Sequence, residues 1–348
     1  MLFFVFGLPG GFATWCEQVV AALVRRAGGS GGLIRGETLE QIAATAIATG
    51  ASQGIVSSRQ PGGRLRAALL DTGAPFVVAL EDPRAALIDL VLGHGIGLPD
   101  AVQQLASSCA ALRGLASAPE ALILHGGDDA PPDLDMVARI ADHLRLPIDA
   151  RDAAESAEAL APPAAARAQP DAVAWWNGLE PQEQELALGA LAPFIDGEPE
   201  GARFSVSWGR ELFFLGDRPG ERATRPVDIT GRARCLLQGP HIMLPAGSWS
   251  LSLSALFTPA ASEHDFAAEV WAERVLAEGI LAPRQGSAAL TLDFALDEAT
   301  EQPLSIRLSS RRAAFDGAII GIAATLVQEP AAVSPVGTGA PAHGQRSW

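Results

Sequence analysis

The sequence predicts two fold classes in one chain: an α/β domain built on a parallel sheet, then an all-β antiparallel sandwich. Three observations carry this. Over the first half, short apolar runs alternate with helix-period segments, the pattern of strands in a sheet covered by helices on both faces. After Gly201 the hydrophobic period changes to two, as in half-buried antiparallel strands. Between them lies an Ala/Pro-rich stretch, EALAPPAAARAQP, with the composition of a connector.

The elements follow in order. Leu2–Phe6 is an apolar strand leading into GLPGG. Thr14–Arg26 reads as a helix, with Trp15, Val19 and Leu23 on one face. Thr38–Thr49 is a second helix and Gly54–Ser58 a short strand. Leu65–Asp71 is helical, PFVVAL (75–80) is a buried strand, and Arg84–Leu92 and Ala101–Leu115 are helices. ALILHGG (121–127) is a strand with a turn, followed by a helix over Leu134–Leu144. Residues 152–172 are expected to be a flexible segment, and Leu179–Ile195 a helix opened by Pro181. Residues 1–200 form the first predicted domain and 203–330 the second. In the second, SWSLSLSALF places Trp249, Leu251, Leu253, Ala255 and Phe257 on one face and serines on the other. Phe266–Glu273, Ala289–Leu296, Leu304–Ser310 and Gly317–Gln328 complete the strands, and 331–348 reads as a disordered tail.

Composition narrows the function. The 348 residues include no lysine, no tyrosine and one asparagine, so all 25 basic residues are arginine. This usage implies a GC-rich bacterial genome and excludes lysine-dependent chemistry. The net charge of −15 makes nucleic acid or an anionic membrane an unsuitable partner. Three scattered cysteines show no metal-ligand spacing, and no metal is expected. No apolar run approaches the ~18–20 residues of a membrane span, and the apolar start lacks a basic leader region. The expected location is cytoplasmic.

A strand, a glycine turn and a helix at the start of a parallel sheet aim backbone N–H groups at one point, where an anion can sit. Gly10 and Gly11 could form that cradle. No Walker motif is present. TWCE also reads as a capping box, Thr14 at the N-cap and Glu17 at the third helical position; this structural role for Thr14 is favoured over a ligand contact. His125 with Asp128 and Asp129 could form an acid–base or metal cluster at a strand end, although a solvated turn is the favoured reading. His94 sits in a similar turn.

GLPGGFATW followed by a helix resembles the first signature of the sulfotransferases, P-(K/R)-S-G-(S/T)-T-W, with Pro9, Thr14 and Trp15 in place. VVALEDPRAALID resembles that family's R-D-P-R-D segment through Asp82, Pro83 and Arg84. GIVSSRQPGGRL resembles its K-(S/T)-H-x-P strand, with Pro61 in register. The resemblance covers residues 1–200 and implies a P-loop-like, three-layer sulfotransferase fold. It also implies a donor, phosphoadenosine phosphosulfate, but the donor-site residues depart from the pattern. Gly10 stands at the phosphate-gripping cation, Gly11 and Phe12 replace the Ser and Gly after it, and Ser57 replaces a lysine. Arg59 stands at the catalytic histidine, Glu81 at the arginine that holds the 3′-phosphate, and Asp89 at its serine partner. Sulfuryl transfer needs positive charge at the leaving phosphate and a base at the acceptor. Two like charges ~4 Å apart repel by about 4 kcal/mol at an effective dielectric of ~20. Arg59, Arg64, Arg66 and Arg84 could rebuild an anion site, but ordinary salt bridges are the favoured reading.

GPHIMLPAGSWSLSL resembles strands of small bacterial jelly-roll-like domains that accompany glycan-handling proteins. Trp208, Trp249 and Trp271 are the aromatic residues that could stack on sugars; Trp249 belongs to the apolar face, and Trp271 is expected to face outward between acids. Arg307 lies on the polar face of its strand.

The expectation is a catalytically degenerate, sulfotransferase-like pseudoenzyme with no catalytic residue and no cofactor. It would serve as a carbohydrate-binding or scaffold component in bacterial surface-polysaccharide (exopolysaccharide) metabolism. Its partner would be a glycan or a polysaccharide-biosynthesis complex, and oligomers are allowed. The degenerate donor region is Gly10, Gly11, Thr14, Arg59 and Arg84; the glycan contacts are Trp271 and Arg307. The alternatives are an active sulfotransferase that has rebuilt its donor site, and a purely structural assembly protein.

Overall fold

The structure is a computed structural model describing residues 2–49, 54–126, 134–160, 172–195 and 203–329. The first domain has five parallel strands in the order β2-β3-β1-β4-β5. These are β1 (Leu2–Gly7), β2 (Leu33–Arg35), β3 (Gly54–Ser58), β4 (Phe76–Glu81) and β5 (Ala121–Gly126). Helices cover both faces, so β1, β3 and β4 are almost wholly buried. Phe3, Val5, Ile55, Val77 and Leu124 pack against α1 (Gly11–Arg26), α6 (Leu134–His143) and α7 (Ala150–Ala159). On the other face, Phe6, Val56, Phe76 and Val78 pack against α2 (Leu39–Thr49), α3 (Gly63–Thr72), α4 (Pro83–Ile88), α5 (Leu98–Ala116) and α9 (Pro181–Ile195). A π-helical turn over Asp89–Gly93 continues α4, and a short α8 (Ala172–Asn177) precedes α9.

Two local details differ from the sequence reading. α1 begins at Gly11, with Gly10 as its N-cap in extended conformation. The glycine turn therefore enters the helix three residues before the expected start. Thr14 is not the cap; its hydroxyl donates back to the Gly10 carbonyl at 3.0 Å. Glu17 is accordingly beyond the first turn, 3% exposed, and not part of a capping box. The stretch expected to be flexible begins inside α7, whose Ala153 and Ser156 are buried and whose Asp152 and Glu155 bind Arg26 at 2.6 and 3.0 Å. Residues 161–171 and the tail 331–348 lie outside the described residues.

The second domain is an antiparallel sandwich. One sheet has the order β13-β10-β15-β6, from β13 (Ser287–Leu296), β10 (Gly247–Phe257), β15 (Ala318–Gln328) and β6 (Ser205–Gly209); β8 (Val227–Asp228) also pairs with β15. The other runs β12-β11-β14-β9-β7, from β12 (Val275–Leu281), β11 (Phe266–Trp271), β14 (Leu304–Ser310), β9 (Cys235–Ile242) and β7 (Phe214–Leu215). The alternating apolar face of β10 is inward: Trp249, Leu251, Leu253, Ala255 and Phe257 are all buried. Phe257 stacks on Phe266 of the opposite sheet at 4.9 Å. Trp208 and Trp249 are both 1% exposed, so neither meets a ligand from solvent.

The domains share a seam along α5 and α9, and one hydrophobic cluster spans both. Gly189 of α9 lies against the backbone of Ser207; a Cβ on it would be 2.7 Å from the Ser207 carbonyl oxygen. Ser107 of α5 accepts from the Met243 amide at 3.1 Å. Arg222 donates to Asp100 and to Gln103, the latter at 2.7 Å.

Candidate functional site

In this strand order β1 leads toward β3 and β2, while β4 leads toward β5. The crevice where neighbouring strands diverge in this way, at their carboxyl ends, is where open α/β sheets bind ligands. Here it lies between the GLPGG turn after β1 and Glu81 at the end of β4. A side chain added at Gly10 would collide with the Glu81 carboxylate. Gly10 in this turn is thus in contact with one of the protein's own carboxylates, beside the N-terminus of α1, where negative charge is favoured.

A second glycine turn, Gly62–Gly63, opens α3 after β3. It is also closed by a carboxylate of the chain. Glu301, from the loop between β13 and β14, accepts from the Arg64 amide and lies against Gly62. The backbone of Glu298 and Ala299 sits 2.5 Å from where a Gly63 Cβ would be, so only glycine allows this docking.

The arginines considered as a rebuilt anion site are each engaged. Arg59, at the end of β3, binds Glu17 at 2.7 Å and approaches the Thr14 hydroxyl at 3.4 Å. Ser57 also donates to Glu17, and Arg35 reaches it at 3.3 Å. Burial pushes the Arg59 pKa down, and the Glu17 charge opposes that shift. Arg64 lies between Glu40 at 3.2 Å and Glu301 at 3.5 Å. Arg66 donates to the carbonyls of Pro61 and Glu298. Arg84 folds onto Asp82 at 2.6 Å, and Asp82 caps α4 by accepting from the Arg84 amide. Burial opposes ionisation of Asp82, but these bonds outweigh it and hold its carboxyl below the usual range.

Sequence reading found Gly10, Arg59 and Glu81 in one region but missed Glu37 and Glu301. Glu37 accepts from Ser58 and from the Gln60 amide at 2.7 Å, tying the end of β3 to the loop before α2. Glu301 had no local signal, because its partner helix belongs to the other domain. Beside the crevice is a cavity of about 490 Å³ with an apolar floor of Leu8, Cys109, Leu112 and Phe194, and a rim including Glu81 and His125. His125 is exposed, while Asp128 and Asp129 lie outside the described residues. His94 reaches Asp89 at 3.5 Å on the surface. No group of three or more metal-ligating side chains occurs among the described residues, and no described helix is long and apolar enough to cross a membrane.

In the sandwich, Trp271 and Arg307 are brought together: the Arg307 guanidinium lies 4.1 Å above the Trp271 ring. Trp271 is half-buried rather than fully outward, with one ring face covered.

No protein-family model matches the sequence, and no curated protein sequence matches it. Among solved structures, the chain is similar to a mouse sulfotransferase complexed with PAP, at 8% identity over 57% of this chain and 86% of that one, TM-score 0.38. It is also similar to a family 16 carbohydrate-binding module, at 11% identity over 41% of this chain and 99% of that one, TM-score 0.21. A third is AlgX of Pseudomonas aeruginosa, at 9% identity over 86% of this chain and 48% of that one, TM-score 0.18.

Proposed function

We propose that this protein is a non-catalytic, sulfotransferase-like component of bacterial surface-polysaccharide metabolism. Its α/β domain serves as a platform and its sandwich engages a glycan. The observation that carries the first half is the closure of the crevice. Both glycine turns at the sheet's carboxyl edge are met by carboxylates of the chain, Glu81 at Gly10 and Glu301 at Gly62. The nearby arginines Arg59 and Arg84 are held by Glu17 and Asp82. A donor carrying several negative charges would have to displace these acids and compete for their arginines. Support for the second half comes from the sandwich surface, where an arginine-backed tryptophan lies on a polar sheet face.

Titration calorimetry with phosphoadenosine phosphosulfate, and with its desulfated product, tests the first half. The expected result is no heat of binding at millimolar nucleotide. Micromolar binding that disappears in Arg84→Ala would establish the active-sulfotransferase reading instead. A glycan array probed with the whole chain tests the second half. Absence of every glycan signal, with a fixed oligomer by light scattering, would favour a purely structural assembly protein.

A further inference from the structure

We infer that the outer face of the β12-β11-β14-β9-β7 sheet holds a binding site for a carboxylate-bearing sugar, centred on Arg307 and His241. The inference rests on the glycan-binding reading above and names the ligand class. One row of the sheet carries the polar groups: Glu278, Glu269, Arg307, Gln238 and Phe214 are successive cross-strand partners. The other side of these strands is apolar core, with Val270, Ile306 and Leu308 buried, so alternation turns the row outward. Arg307 is the anchor. It is half-buried on Trp271 and, among the described residues, has no hydrogen bond or ion pair. In a chain with 40 acidic residues, a partly desolvated guanidinium without a carboxylate partner is poised for an anion from outside. Its fork suits a carboxylate in bidentate geometry.

His241 is placed beside it by a departure from regular strand structure. Ser305 pairs with Pro240 and Leu304 with Ile242, so His241 is the extra residue of a β-bulge. Its φ of 61° is in the left-handed region, unusual for a non-glycine residue. Bulges of this kind re-aim side chains at functional surfaces. The imidazole lies 5.7 Å from the Phe214 ring, whose own face carries Arg222 at 4.4 Å. Burial first, and then the charges of Arg307 and Arg222, lower the His241 pKa. Gln238 adds an amide beside Arg307. Glu269, across from it, would accept sugar hydroxyls, so the row fits a ligand with both a carboxylate and hydroxyl donors better than a bare anion.

The test uses the full chain and calorimetric titration with tetramers of galacturonate and glucuronate, each beside the same tetramer with its carboxyls reduced to alcohols. At least one acidic tetramer is expected to bind about tenfold or more tightly than its reduced form. Arg307→Ala should remove that preference, Arg307→Lys should retain part of it, and His241→Ala should weaken it. Arg218→Ala, which alters a cation paired with Glu221, should change nothing. Thermal melts confirm that each variant is folded. Equal affinity for acidic and reduced tetramers overturns the carboxylate assignment and leaves glycan binding standing. An acid preference untouched by Arg307→Ala and His241→Ala overturns the location. No binding of any tetramer, with a blank glycan array, sinks both this inference and the glycan reading.

Discussion

Glu17 and Arg59 form an ion pair at 2.7 Å beneath the glycine turn, between the first turns of α1 and the end of β3. Glu17 is buried, and Ser57 and Arg35 complete its coordination. Removing one member leaves a buried charge without compensation, which costs about 3–5 kcal/mol in such pairs. Arg59 retains some exposure, so the lower end applies. Glu17→Met and Arg59→Met should therefore each lower the urea midpoint markedly, while the two combined should recover much of the loss. Additive losses in that double-mutant cycle would show that the pair is not coupled.

Gly7 and Gly10 should respond differently to alanine. A Cβ at Gly7 would lie 2.6 Å from Ala13 Cβ and 2.8 Å from the Ala79 carbonyl oxygen. Neither can swing away, and overpacking of this kind costs about 1–3 kcal/mol. At Gly10 the obstacle is the end of the Glu81 side chain, which can rotate. Thermal melts should thus show Gly7→Ala clearly destabilised and Gly10→Ala nearly neutral.

The Glu301 carboxylate caps a helix of the other domain. Losing a helix N-cap costs about 0.5–2 kcal/mol, and Glu301→Ala should lose an amount in that range. Gly63→Ala should be worse, because its obstacle is backbone. Hydrogen exchange should report the first turn of α3 opening in both variants. Unchanged protection there would mean the contact does not hold the helix.

His241 should titrate below the ordinary histidine value of ~6.5, owing to burial and then to Arg307 and Arg222. In the fold it stays neutral while the unfolded chain takes up a proton. Its contribution to stability is therefore full above ~6.5 and declines as pH falls toward the folded value. NMR titration of the ring should show the low midpoint, and Arg307→Ala should move it upward. A midpoint indifferent to that substitution would place Arg307 too far away to act.

Much of the architecture was legible in local pattern. The β10 residues Trp249 to Phe257 alternate in sequence and do so in burial, and the strand Gly54–Ser58 is found as read. Not every edge strand was legible: β5 and β13 were read, whereas β2 and β12 were not. β12 has no clean alternation, since it lies at a sheet margin with Val275, Glu278 and Ile280 exposed. The capping role read into Thr14 and Glu17 failed for a different reason. Two glycines ahead of them started the helix earlier, and Glu17 was drawn to a cation that local sequence does not show.

By itself, the sequence determined the two fold classes and the glycine turn after the first strand. Periodicity and turn chemistry act over a few residues, so they can be read along the chain. Which charge meets which was decided only by tertiary structure. Glu301 meets Arg64 across 237 positions, and Arg307 finds a tryptophan face rather than a carboxylate. Such pairings depend on strand order and register, because charges interact with what lies nearest in space.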